Sequence, residues 1–292
     1  ENSQGMLPAV TDWLKSGSYF SYQNFHIFVK QARAPEKPPV LLIHGFPTAS
    51  FDFAPVWQTL AKNCNLFTAD MLGFGFSDKP ADHHYSIIEQ ADILLAYLTD
   101  QKISAFHILA HDYGVSVAQE MLARHQEKTA AVLSVSFLNG GLYPEFHKPL
   151  LVQKLMLTPL GPLLAKFFTK KKLRASFDAI FGDQKASEAE LEAFWNLIEY
   201  NNGRRIVQKL LHYMVERRKF RERWVGAMES TQVPLQMING PLDPISGSHL
   251  AQAFAERNPK AHIELLPGVG HYPQVEAPDL VCEHYLHFLH SR

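Results

Sequence analysis

The chain has 292 residues, 46% of them apolar, and a formal net charge of −1. It is long enough for one α/β domain with an insertion, and no global field favours nucleic acid or a membrane surface. Two cysteines, Cys64 and Cys282, are too few and too far apart for a disulfide framework or a zinc site, so a reducing compartment, the cytoplasm, is expected. No stretch approaches a membrane span, the first residues lack the order of a signal peptide, and a start at Glu1 rather than Met leaves room for a segment upstream.

In chain order, residues 18–23 and 25–31 read as strands, aromatic and partly alternating. The run 40–43 is fully apolar, as in a buried parallel strand, and leads into His44-Gly45-Phe46-Pro47, a loop that can present the Phe46 N–H as a fixed donor. A helix is expected over 53–62 and a strand over 65–70. The glycines of 71–80 lack the third glycine and the helix start of a dinucleotide fingerprint. Ser86 and Glu89 fit a capping box for a helix to Asp100. Residues 105–110 form a short apolar run that turns through His111-Asp112-Tyr113-Gly114 and continues at helical spacing. A strand over 131–138 follows, ending at Asn139-Gly140-Gly141.

From 141 to 230 the strands vanish. The stretch reads as helices split by Pro144, Pro149, Pro159, Pro162, Gly182 and Gly203, with a capping box at Ser187 and Glu190. Its basic clusters, Lys170 to Lys172, Arg204-Arg205 and Arg217 to Arg223, are expected to be solvated helix faces, with phosphate or membrane recognition as the minority reading. The block is expected to be a helical lid between two parts of one α/β core, 1–140 and 231–292. In the second part the rhythm resumes with strands over 233–239 and 262–266 and helices over 246–257 and from 279 onward.

The strand–turn–helix at Asp112 has the plan of a nucleophile elbow, which throws the apex side chain into open space and aims the first free N–H groups of the helix there. The plainer alternative is that Asp112 is a helix N-cap. Two further residues decide between them. Asp243 and His271 each fall just past the C-terminal end of another predicted parallel strand, and in a doubly wound sheet those ends share one crevice. Nucleophile, acid and histidine stand in the order of the α/β-hydrolase triad. The apex residue is an aspartate, which needs no proton removed and suits displacement at saturated carbon, forming an alkyl ester. His271, oriented by Asp243, would activate water against that ester, with the oxyanion facing the N–H groups of Phe46 and Tyr113.

These motifs resemble the α/β-hydrolase superfamily, in the branch of epoxide hydrolases and haloalkane dehalogenases. The match is carried by residues 44–48, 72–80, 83–87, 110–114, 117–120, 139–141, 223–227, 240–244 and 271–274, nearly the length of the chain. The resemblance implies an α/β-hydrolase fold: a mostly parallel eight-stranded sheet, helices on both faces and an inserted helical lid. It implies a small, mostly apolar substrate, with no cofactor and no metal. Epoxide hydrolases carry His-Gly-Phe-Pro, as here, and usually a Trp after the elbow Asp, where this chain has Tyr113. Haloalkane dehalogenases hold the halide with that Trp and an Asn or Trp elsewhere. Phe46 stands where an Asn would, and Trp195 and Trp224 are better placed for packing. Epoxide hydrolases protonate the leaving oxygen with lid tyrosines. Tyr213 occupies a similar place to one of them, and Tyr143 and Tyr200 are candidates for the other. The leading expectation is an epoxide-hydrolase-like enzyme. The alternatives are haloalkane dehalogenation, β-lactone decarboxylation, cofactor-free oxygenation, and a non-catalytic binding protein on the same scaffold.

Overall fold

A computed structural model describes residues 5–292. Eight strands form one sheet: β1 (Ser18–Tyr22), β2 (Phe25–Ala32), β3 (Pro39–Ile43), β4 (Asn65–Ala69), β5 (Phe106–Ala110), β6 (Val132–Phe137), β7 (Leu235–Asn239) and β8 (His262–Leu265). They lie in the order β1-β2-β4-β3-β5-β6-β7-β8. β1, β2 and β4 pair antiparallel, and every pairing from β4 to β8 is parallel. The central strands are covered on both faces, and β4, β5 and β7 are buried at every residue, with polar members such as Thr68, His107 and Gln236 hydrogen-bonded within the sheet layer.

The boundaries depart from the sequence expectation where local chemistry intervenes. β7 starts at Leu235 because Pro234 has no N–H to give the ladder. The expected helix over 53–62 forms as Ala54–Ala61, and a 3-10 turn, Ser50–Phe53, leads into it. At Ser86 only half of the capping box forms. The Ser86 hydroxyl accepts from Glu89 N at 3.1 Å, but the Glu89 carboxylate turns to His83, 2.6 Å away. Ser187 and Glu190 form the complete box.

Between β6 and β7 the chain makes helices and no strand among the described residues. This insertion lies at the C-terminal edge of the sheet. It is tied to the strand-end loops by His271 N donating to Ile180 O at 2.8 Å and Gly182 N donating to the Glu276 carboxylate at 2.7 Å. Cys64 and Cys282 are buried and free. No helix of the described residues is long and apolar enough to cross a membrane.

Candidate active site

The turn after β5 puts Asp112 at φ 52°, ψ −114°, outside the comfortable regions for an L-residue, directly before the helix Tyr113–Gln126. Packing imposes that conformation. Asp112 N donates to Asn139 O at 2.8 Å, and Gly114 N to His111 O at 2.8 Å. A Cβ on Gly114 would stand 2.6 Å from the Ile43 and His44 carbonyls, and one on Gly45 would stand 2.5 Å from the Asp112 Cβ. Only glycines let the β3 loop, β5 and the helix close this tightly. Asp112 caps no helix N–H with its side chain, so the N-cap alternative is excluded by geometry.

Both carboxylate oxygens of Asp112 are engaged. Phe46 N donates to Oδ2 at 2.9 Å, and Oδ1 lies 3.0 Å from His271 Nε2. Tyr113 N is the first N–H of the helix, a position with no intrahelical acceptor. His271 Nδ1 lies 2.6 Å from Asp243 Oδ2. Asp243 is itself held by donors from Ile245 N, Ser246 N, the Ser246 hydroxyl and Asn139 Nδ2, at 2.8 to 3.2 Å. Asp112, Asp243 and His271 are 4%, 2% and 2% exposed, so these contacts are made out of water.

Burial alone would raise the Asp112 carboxyl. The hydrogen bond and charge of His271, with His111 and Arg217 nearby, outweigh it and hold Asp112 well below the usual carboxylate range. Burial alone would lower His271. The charges and hydrogen bonds of Asp243 and Asp112 reverse that and raise it. The resting site is therefore a carboxylate–imidazolium–carboxylate chain. His111 and His44 are pushed down by burial and stay neutral. Both brace the loops around the site. His111 Nε2 donates to the His271 carbonyl at 2.6 Å, and His44 Nε2 accepts from Met71 N at 3.0 Å.

Above Asp112 is a narrow cavity with about 70 Å³ open to the centre of a water molecule. Asp112, His271, Phe46 and Tyr272 line the sheet side, and Leu150, Met156, Leu173, Phe177, Ile180 and Tyr213 come from the insertion. The lining is mostly apolar; besides Asp112, His271 and the two tyrosines, the insertion contributes His147, Gln153, Lys172 and Ser176. Tyr213 is buried, edge-on to Tyr113 with ring centres 5.0 Å apart, and its hydroxyl bonds to no other described residue. No cluster of side chains among the described residues is suited to hold a metal ion.

The structure gathers Asp112, Asp243, His271, Phe46, Tyr113 and Tyr213 into one site. It corrects the expectation for the two other tyrosines. The Tyr143 hydroxyl donates to Glu229 at 2.9 Å and accepts from Asn258 at 3.0 Å, away from the cavity. Tyr200 packs edge-on against Phe76, with ring centres 4.9 Å apart, beside the insertion's outer cleft. Of the two tryptophans, Trp224 Nε1 donates to Glu120 at 2.9 Å and Trp195 packs on Phe168; neither lines the cavity.

Of the basic clusters, Lys170 to Lys172 are exposed as expected, and one residue is corrected. Arg217 is 2% exposed, not solvated. Its guanidinium donates to the Ser116 hydroxyl at 2.7 Å and to the Asp112 carbonyl at 3.0 Å, and lies 4.6 Å over the Tyr213 ring. It clamps the elbow to the insertion. Tyr213 and Arg217 are four apart on one helix, so they share a face; that spacing was the available signal. His147, on the cavity wall, was also missed. Both its ring nitrogens are buried without a partner, and burial together with Arg217 pushes it down to about 3.

A family model described as the alpha/beta hydrolase fold matches residues 38–278. The chain belongs to the α/β-hydrolase family. This α/β-hydrolase is 38% identical over 302 aligned positions to the mesoderm-specific transcript homolog protein of Bos taurus, covering 98% of this chain and 89% of that one. It is 36% identical over 289 positions to the putative hydrolase LipZ of Mycobacterium tuberculosis, covering 97% and 98%. A solved haloalkane dehalogenase loop variant from Bradyrhizobium elkanii superposes with a TM-score of 0.78 at 18% identity, over 94% of this chain and 97% of that one, a likeness of fold.

Proposed function

We propose that this α/β-hydrolase opens a small, mostly apolar electrophile by attack of Asp112 on saturated carbon, in an epoxide-hydrolase-like reaction. Residues 141–230 act as the lid between core parts 1–140 and 231–292. The observation that carries this reading is a carboxylate at the elbow apex with its two oxygens in different hands: Oδ2 on the Phe46 N–H and Oδ1 on His271. The division leaves Oδ1 as the attacking atom and Oδ2 as the carbonyl oxygen of the ester that forms.

At rest Asp112 is ionised and His271 protonated. Oδ1 bonds to a ring carbon of the epoxide, the ring C–O bond breaks, and the alkoxide takes the Tyr213 proton. The proton on His271 then restores Tyr213. Ester formation removes the Asp112 charge that helped hold His271 protonated, so the imidazole is now neutral and can act as a base. It takes a proton from water as the water oxygen attacks the ester carbonyl. Charge develops on Oδ2, which already lies 2.9 Å from Phe46 N, with Tyr113 N as the second donor. Release of the diol restores the carboxylate and the imidazolium, and the sum is epoxide plus water to diol. A halide would find no indole N–H here, since no tryptophan among the described residues lines the cavity.

Single turnover in heavy-oxygen water tests this reading. The diol of the first turnover carries no solvent label, because its new oxygen comes from Asp112, and the label appears in the protein. Solvent oxygen in the first diol rules out the ester.

A further inference from the structure

The insertion segment 148–172 differs from the rest of the surface in two independent ways. Thirteen large apolar side chains are exposed among the described residues, and seven lie between 151 and 167; Leu151, Leu160, Leu163 and Phe167 are more than half exposed. The same segment holds Lys148, Lys154, Lys166, Lys170, Lys171 and Lys172 and no Asp or Glu, in a chain whose net charge is −1. Only Lys170 has a carboxylate partner among the described residues, Glu192. Three of these lysines open the helix Lys170–Ile180, whose first turn has no acid. Cations are disfavoured at a helix N-terminus, so this placement gains nothing for folding. Monomeric proteins rarely expose apolar side chains in such concentration without a partner for them.

We infer that this face docks on an anionic lipid surface, with the leucines of the helices Leu151–Met156 and Gly161–Ala165 entering the headgroup boundary and the lysines resting on the lipid charge. The pairing of apolar tips with unpaired cations decides the occupant. A second copy would bring like charge against like charge, and nucleic acid would leave the leucines in water. Apolar insertion beside cations is the chemistry of interfacial attachment. The cavity supplies a second argument. Val152 is exposed yet also lines the cavity, as do Gln153, Met156, Phe168 and Lys172, so the mouth above Asp112 opens through this same face. An amphiphile lying in the lipid surface would pass from it into the apolar cavity without crossing water. The docking itself does not depend on the chemistry at Asp112.

Sedimentation with sucrose-loaded vesicles tests it, using the whole chain without substrate. The protein pellets with phosphatidylcholine vesicles containing phosphatidylserine, and at least about tenfold more weakly with phosphatidylcholine alone or at high salt. A Leu155→Gln/Leu163→Gln variant and a Lys166→Glu/Lys171→Glu variant each lose about tenfold or more in vesicle affinity. All four positions are exposed and outside the cavity, so the melting temperature and the turnover of a water-soluble substrate stay at the parent values. Absence of pelleting, or pelleting that both variants retain, overturns the inference. So does a dimer in sedimentation velocity that the leucine variant dissolves, which would make the face a contact between copies.

Discussion

The two walls of the cavity are built on different principles. The sheet-side wall consists of strand ends and tight turns. Its polar atoms are fixed by backbone hydrogen bonds, as at Asp112 N to Asn139 O and Phe46 N to Asp112 Oδ2, and glycines permit the close approach. The insertion-side wall consists of short helices whose inward side chains are mostly apolar and whose outward leucines face solvent. Polar alignment demands fixed geometry, and the sheet supplies it. Shape selection demands only volume, and side chains on short helices can change that cheaply. On the proposed reading, the sheet side sets the reaction type and the insertion side the substrate choice.

Substitutions separate the two. The largest effect is expected on the sheet side. Asp112→Ala abolishes turnover, and His271→Gln slows it by about 10²–10⁴-fold, with the alkyl-enzyme accumulating as a mass increase of one substrate. A His271→Gln protein that turns over slowly with unmodified mass breaks the assignment of the base. Next comes Tyr213→Phe, on the boundary between the walls. Loss of its proton costs about 10²-fold in epoxide opening, while hydrolysis of a preformed ester is unchanged. An equal loss in both steps would make Tyr213 a packing residue.

The insertion side gives a smaller effect of a different kind. Leu173→Ala enlarges the apolar wall without touching a polar group. It should change KM by up to about tenfold, in favour of bulkier substrates, with kcat for small ones kept. A drop in kcat for every substrate instead would show that the two walls are not separable.

The same division explains what could be read in the sequence. Asp112, Asp243 and His271 were legible because each follows a strand, and parallel strands bring their C-terminal ends together whatever the details of packing. Phe46 was legible from its loop for the same reason. Arg217 was not, because a cation in a run of basic residues looks solvated until the partner that buries it, the back of the elbow, is placed. Tyr143 and Tyr200 failed in the same way, since the direction of a lid side chain depends on how short helices pack. His147 carried no signal, being one of fifteen histidines.

The smallest expected effect tests the electrostatics of the sheet side alone. Asp112→Asn keeps the shape of the apex and tolerates its positive φ, while removing one of the two negative charges that raise His271. A histidine whose folded pKa lies above its unfolded value, about 6.5, adds stability that is full below about pH 6.5 and lost as pH rises through the folded pKa. The depressed Asp112 carboxyl adds stability that is present above its unfolded pKa, near pH 4, and lost as pH falls below that. The two describe one ion pair, so its contribution is a plateau from about pH 4 to 6.5 that declines on the alkaline side. Thermal melts of parent and variant should differ most on that plateau, by about 2–4 °C for each kcal/mol of pairing, and converge above it. A difference independent of pH would mean that His271 is neutral in the resting protein, and that the base is available before the ester forms.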